Sequence, residues 1–319
     1  MNQQMNATTR QTVDLTRDES RRTAGDLLPD DLRMDVVTLS VGNLEGMTAY
    51  YRDALGLTEL ADTRHHADGG PVSVVLGRGS TPLVVLEHRP GLPEAPRQAA
   101  GLFHTAILFD SQAELAATVL NAARHSQSQF VGSSDHLVSE AFYFTDPEGN
   151  GIELYWDRPR ETWDWTDGQV AMDTVFLDPN SYLRTHLTGA APELVEGTGL
   201  ADRGAEVGHV HLQVGDVETA RSFYVDALGF EQTTALPGAL FVSAGGYHHH
   251  MAMNVWNSRG AGPRAASLGL GDVRISLPAR SDVEAVAQRL RDRRIEFQDD
   301  GAALRVLDPW KTPVTLAAE

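Results

Sequence analysis

Residues 37–56, VTLSVGNLEGMTAYYRDALG, and residues 210–229, VHLQVGDVETARSFYVDALG, align without a gap at an offset of 173. Ten of the twenty positions are identical, among them Gly42/Gly215, Tyr51/Tyr224 and the closing Asp-Ala-Leu-Gly. A repeat of this kind sets the architecture before any single residue is weighed. Each copy opens with apolar residues at alternate places, Val37, Leu39 and Val41 in one and Val210, Leu212 and Val214 in the other. That is the pattern of a half-buried strand. A polar turn follows, then a helix of about three turns ending at Leu-Gly, and glycine just past a helix is the usual stop. Two strand-like runs come next: VSVVLG (72–77) and TPLVVLEH (81–88) in the first copy, ALFVSAGG (239–246) and HHHMAMNVW (248–256) in the second. The unit reads β-α-β-β-β.

A related unit lies between the copies. FHTAILF (103–109) alternates like a strand, SQAELAATVLNAARHS (111–126) reads as a helix, and EAFYFTDPEGNGIELYW (140–156) reads as a hairpin with an Asp-Pro-Glu-Gly-Asn turn. A fourth follows in DVRISL (272–277), a helix around SDVEAVAQRLRDRR (281–294), and ALRVLDPWKTPVTLA (303–317). Asp146-Pro147 and Asp308-Pro309 mark the same turn in these two. The modules span 34–90, 101–160, 206–258 and 267–318. The expected fold is α+β, with four βαβββ modules paired into two barrels. The expected organisation is a disordered tail at 1–31, an N-terminal domain at 34–160, a linker of little periodicity at 161–205 and a C-terminal domain at 206–318.

Composition narrows the chemistry. The 319 residues, 41% hydrophobic and 22% charged, fit an ordinary globular protein. No run approaches the ~20 apolar residues of a membrane span, and the N-terminus has no signal-like apolar stretch. A cytoplasmic location without membrane attachment is expected. A net charge of −18 opposes nucleic-acid binding, which rests on Lys and Arg. With no cysteine, disulfides, thiolate catalysis and thiolate-ligated metals are excluded. Any metal must be held by His and carboxylate.

Alternation also sorts the side chains that could do so. In the four first strands one face is apolar and the other mixed. On the mixed face lie Val36, Thr38 and Ser40 in module one, His104, Ala106 and Leu108 in module two, His209, His211 and Gln213 in module three, and Asp272, Arg274 and Ser276 in module four. In the last strand of module two, Glu153 and Tyr155 oppose the apolar set Ile152, Leu154 and Trp156; the module-four counterpart of Glu153 is Thr315. Two histidines and one glutamate thus occupy corresponding positions in modules two and three alone. Two His and a carboxylate on one face form the ligand set of non-haem Fe(II) oxygenases, with positions left for substrate and O2; Zn2+ accepts the same donors. Val36, Asp272 and Thr315 offer no such set.

The stretch His136-x5-Phe142-Tyr143-x2-Asp146-Pro147-x-Gly149-x3-Glu153 follows the extradiol ring-cleavage signature, with Ser134 where Gly or a similar residue is usual. With GLFHTAIL (101–108), DRPRETW (157–163), GHVHLQVGD (208–216) and FVSAGGYHHH (241–250), it makes residues 34–318 resemble the vicinal-oxygen-chelate (glyoxalase/bleomycin-resistance/extradiol dioxygenase) superfamily. Within that superfamily the chain is similar to the short two-domain bacterial catechol 2,3-dioxygenases. The resemblance implies that His104, Glu153 and His209 hold Fe(II), with Mn2+ or another divalent metal as alternatives. It implies that Tyr143 hydrogen-bonds the bound substrate oxygen, that His136 lies near the site, and that a histidine of the run His248–His250 is the acid/base. Alternation places His248 and His250 toward the cavity, whereas alignment to the family's His-His-x-x-Ala pattern, anchored on Ala252, selects His249. His249 is preferred, with His248 and His250 as alternates, and a bulge near Gly245-Gly246 would reconcile the two.

In the long extradiol enzymes the three ligands come from the two C-terminal modules. Here two come from module two and one from module three, so those modules must share a barrel. The implied reaction takes a small aromatic diol and O2, as in aromatic degradation, and opens the ring beside the diol; a homo-oligomer is expected. The alternatives are ring cleavage of a hydroquinone or another substituted diol, a non-redox isomerase or lyase with Ni2+, Zn2+ or Mn2+, and a protein that binds an aromatic or an antibiotic. His65, His66, His88, His125 and His186 fit no such pattern and read as surface or loop residues, and Trp163 and Trp165 as linker packing.

Overall fold

The computed structural model describes residues 24–62 and 72–319. His65, His66 and residues 1–23 of the expected tail lie outside them. Residues 24–31 do not behave as a tail. Leu28 is buried, and its N–H donates to the Gly229 carbonyl at 2.9 Å. Two apolar side chains, Leu28 and Leu32, anchor this otherwise polar segment in the core.

Module one contains β1 (Arg33–Val41), α1 (Leu44–Leu55), β2 (Thr58–Asp62), β3 (Ser73–Arg78) and β4 (Thr81–His88). Module two contains β5 (Gly101–Phe109), α2 (Gln112–Arg124), β6 (Gln129–Asp135), β7 (Ser139–Thr145) and β8 (Gly151–Asp157). The segment read as a linker carries short elements: β9 (Trp165–Thr166), β10 (Gln169–Val170), β11 (Val175–Phe176), α3 (Pro179–Leu187) and α4 (Pro192–Val195). None is long enough to show a period, yet Tyr182, Leu194 and Leu200 are buried. Module three contains β12 (Ala205–Gln213), α5 (Val217–Arg221), β13 (Glu231–Leu236), β14 (Ala239–Ser243) and β15 (Met251–Asn254). Module four contains β16 (Gly269–Leu277), α6 (Arg280–Asp292), β17 (Phe297–Asp299), β18 (Ala303–Leu307) and β19 (Pro313–Ala318).

The repeated helices start and stop as their sequence dictates. Asn43 and Asp216 cap α1 and α5 through their side chains, satisfying backbone N–H groups that would otherwise lack partners. Gly56 and Gly229 end the two helices with φ of 66° and 104°, a conformation in which a Cβ is costly. The copies differ in one respect. The regular helix expected after Val217 becomes a π-helical turn over Ser222–Leu228.

Two curled sheets result. One runs β17-β18-β19-β16-β1-β4-β3-β2 and the other β11-β6-β7-β8-β5-β12-β15-β14-β13. The antiparallel pair β1–β16 joins module one to module four, and β5–β12 joins module two to module three. This is the pairing that the ligand placement demands. A shared hydrophobic core includes residues of all four modules. The repeated tyrosines help tie the sheets together: the Tyr51 hydroxyl donates to Asp146, and that of Tyr224 to Asp308, each at 3.1 Å. Both acceptors belong to the Asp-Pro turns.

Candidate metal centre and cavity

The second sheet builds the site from a single rung. His209 of β12 faces Ala106 of β5, Ala106 faces Glu153 of β8, and Glu153 faces Tyr143 of β7. His104 lies two residues from Ala106 on the same face, opposite His211. Alanine in the middle matters, since a larger side chain there would fill the space on which the polar groups converge. A β-bulge between Val207 and His209 aims the histidine. Gly208 occupies that bulge, and a Cβ there would fall 1.7 Å from the Tyr155 hydroxyl.

The three groups proposed as ligands are all buried. Their ligand atoms lie within 4.8 Å of one another, the one such cluster found among the described residues. His104 Nε2 lies 2.8 Å, and His209 Nε2 3.1 Å, from Glu153 Oε2. Burial would raise the Glu153 carboxyl, but the two imidazoles more than offset it and hold the group well below the usual carboxylate range. Burial pushes His209 down to about 4, against the pull of Glu153. At neutral pH the pair is therefore a carboxylate beside a neutral imidazole, the protonation states a metal ion requires. His104 Nε2 is buried without a hydrogen-bond partner, its contact with Glu153 lacking the angle of one. A two-nitrogen, one-oxygen donor set aimed at one point fits a divalent cation.

Around this point the sheet and the linker enclose a cavity of about 400 Å3. Tyr143 and His136 line it. The His136 ring bridges the Asp173 carbonyl, 2.7 Å from Nδ1, and the Tyr143 hydroxyl, 2.7 Å from Nε2. A carbonyl only accepts, so Nδ1 carries a hydrogen toward Asp173, and Nε2 faces the Tyr143 hydroxyl. Burial and the charge of Glu153 raise the Tyr143 phenol well above its ordinary value, so it stays protonated. Ser134, at the one position departing from the signature, is buried and donates to the Val175 carbonyl of β11 at 3.3 Å.

Among the three consecutive histidines, His249 lines the cavity, its ring 4.1 Å from that of His209. Gly245 and Gly246 take φ of 62° and 65°, and β15 begins only at Met251, so the run precedes the strand and escapes its alternation. His250 turns aside to Ser243, with Nδ1 at 2.8 Å from the hydroxyl. His248 is fully buried behind His249 and joins it to Asp157: the two Nδ1 atoms are 2.7 Å apart, and His248 Nε2 is 2.9 Å from Asp157 Oδ1. Tyr247 donates to the other Asp157 oxygen at 2.8 Å and lies 2.7 Å from the Tyr155 hydroxyl.

Several residues of the site escape the sequence reading. His211, though on the same strand face, was not among the expected site residues; its ring is 4.9 Å from that of His104, and it pairs with Asn254 at 3.0 Å. Met172, Asp173 and Thr174 of the linker form part of the cavity wall. Nothing in their spacing announces it. Trp163 packs on His248 rather than over the cavity, and Trp165 is exposed. His88, His125 and His186 are not among the residues that line the cavity.

The comparisons agree with this architecture. The sequence model of the glyoxalase/bleomycin resistance protein/dioxygenase superfamily matches residues 33–154 and 206–301. A catechol-2,3-dioxygenase of Bacillus subtilis (strain 168) is 34% identical over 287 residues, covering 88% of this chain and 95% of that protein. The crystal structure of glyoxalase I from Zea mays superposes with a TM-score of 0.56 at 17% identity, over 90% of this chain and 92% of that one. A Bacillus subtilis structure described as a dioxygenase superposes with a TM-score of 0.58 at 14% identity, over 90% of this chain and 84% of that one. Repeat, sheet pairing and family match together establish that the chain belongs to the glyoxalase/bleomycin resistance protein/dioxygenase superfamily.

Proposed function

We propose that the protein is an extradiol dioxygenase that opens a catechol ring beside its diol with O2, at a non-haem Fe(II) held by His104, Glu153 and His209. The observation that carries the reading is the buried His-Glu-His cluster, open on one side to a cavity lined by the Tyr143 phenol and the imidazoles of His136 and His249. The name of the 34% identical relative supports the same reaction.

Bound there, Fe(II) would supply a charge that favours the deprotonated diol and a place for O2. The chain's own residues manage protons and position. Tyr143, kept protonated beside His136, would turn its single O–H to the oxygen of a bound substrate. A carboxylate accepts only, so Asp157 holds the proton of His248 on Nε2. With its hydrogen on Nε2, His248 presents the Nδ1 lone pair to the Nδ1 hydrogen of His249, which leaves the Nε2 lone pair of His249 free. A proton taken up at His249 Nε2 can be passed from its Nδ1 to His248, where Asp157 balances the charge. His249 is thus the acid/base, and His248 and Asp157 set its tautomer.

The test is metal content and oxygen uptake on the same preparation, loaded with Fe(II) without air. The wild type is expected to bind one iron per chain and consume O2 with catechol. Glu153→Gln is expected to weaken metal binding by more than about 100-fold and abolish uptake. Turnover without O2 would instead assign a non-redox isomerase or lyase, because Zn2+ accepts the same donors.

A further inference from the structure

The cavity also bears on which diol enters, an inference that rests on the dioxygenase reading. Among the described residues no Lys or Arg lines it; its only acidic residues are Glu153 and Asp173. A substituent bearing a carboxylate would therefore enter without a Lys or Arg to pair it and with Asp173 already in the wall, which is disfavoured away from water.

The walls lead from the triad to the surface along apolar groups. The Phe103 ring lies 5.3 Å from His104 and 5.4 Å from Trp256, and Trp256 lies 5.5 Å from His211. Val131, Leu236 and Met172 also line the cavity. Trp256 is 52% exposed, Val131 66% and Leu236 37%, so three large apolar side chains face water where the cavity opens. Contiguous exposed apolar groups rimming a cavity mark a ligand surface. The volume, about 400 Å3, is of a size that encloses drug-sized molecules, larger than an unsubstituted catechol.

We infer that the substrate is a catechol carrying an uncharged apolar substituent of about ring size, which lies along Phe103 and Trp256 toward the mouth, and that Trp256 is a residue determining this specificity. Two measurements separate this inference from the reaction it rests on. The first compares kcat/KM for catechol, phenyl-substituted catechol and 3,4-dihydroxyphenylacetate on the iron-loaded protein. The phenyl compound should exceed catechol by about tenfold or more, as burial of a further ring would give, and the carboxylate should fall below catechol. Trp256→Ala should reduce the phenyl-to-catechol ratio several-fold, and Trp256→Phe should restore most of it.

The second measurement needs no metal and no turnover. Biphenyl, which cannot chelate, should quench tryptophan fluorescence of the protein as purified, and the quench should be lost in Trp256→Phe while calorimetry still detects binding. Catechol cleavage with no phenyl preference and no biphenyl binding would overturn the inference and leave the dioxygenase reading intact. Biphenyl binding with no cleavage of any catechol would support the apolar subsite and count against the dioxygenase. A preference for the carboxylate would overturn the inference by itself.

Discussion

At the scale of single residues, the proposed proton transfer depends on which nitrogen holds which proton. Asp157 reaches the cavity only through His248 and His249, so it acts as a positioning residue. Asp157→Asn can donate as well as accept and releases the His248 tautomer. The expected result is a loss in kcat on the order of 100-fold, with iron content unchanged and the acid limb of the pH–rate profile displaced. Nitrogen NMR of the ring signals should show His249 as a mixture of tautomers. A variant with wild-type turnover and profile would remove the relay from the mechanism. The faces of His104, Glu153 and His209 were legible before any coordinates from strand alternation, and Tyr143 from the ring-cleavage signature. The acid/base was not. Alternation fails for His248–His250, which the left-handed Gly245-Gly246 turn carries out of strand register. Asp157 stood in the quoted run DRPRETW without a role, since its partner is 91 residues away.

At the scale of elements, the site depends on the bulge in β12. Gly208 lets the Tyr155 hydroxyl approach the backbone while the bulge aims His209. Gly208→Ala should therefore cost roughly 1–3 kcal/mol of stability and weaken metal binding. Thermal unfolding and metal titration of the same sample read both effects. A variant that melts and binds metal like the wild type would show that β12 can shift without moving His209. The bulge gave no signal in the sequence beyond an extra glycine. The linker gave less: β11 is two residues long, yet it extends the sheet, receives the Ser134 hydroxyl and neighbours the cavity wall. The tail boundary was misplaced for a similar reason, because two leucines in a polar stretch make no period.

At the scale of the whole molecule, the repeat was the strongest signal, and it specified both the module and, through the ligand positions, the pairing of sheets. The unpaired half of the pseudo-symmetry is plain in the first sheet, where Thr315 donates to Asp272 at 2.9 Å in place of a metal centre. Concentrating histidines in one interior has a consequence for stability. Burial holds His209 at about 4 and His250 at about 3, and puts His211 and His249 well below their ordinary range. In the unfolded chain these groups take up protons near pH ~6.5. Between those limits the unfolded state binds more protons, so stability is full above about pH 6.5 and falls as the solution is acidified toward pH ~4. His209, fully buried beside Glu153, contributes to this loss in the same direction. Denaturant unfolding of metal-free protein at about pH 7 and about pH 5 should show this loss; equal stability at the two would contradict the buried neutral state.

In the proposed reaction His104, Glu153 and His209 hold an iron at which O2 opens a catechol ring. The most direct measurement is mass spectrometry of the product formed by Fe(II)-loaded protein from catechol under isotopically heavy O2. The expected product is ring-opened, carries both heavy oxygen atoms and is absent with Glu153→Gln. A product formed without oxygen incorporation, or formed equally well by the variant, would contradict the proposed reaction.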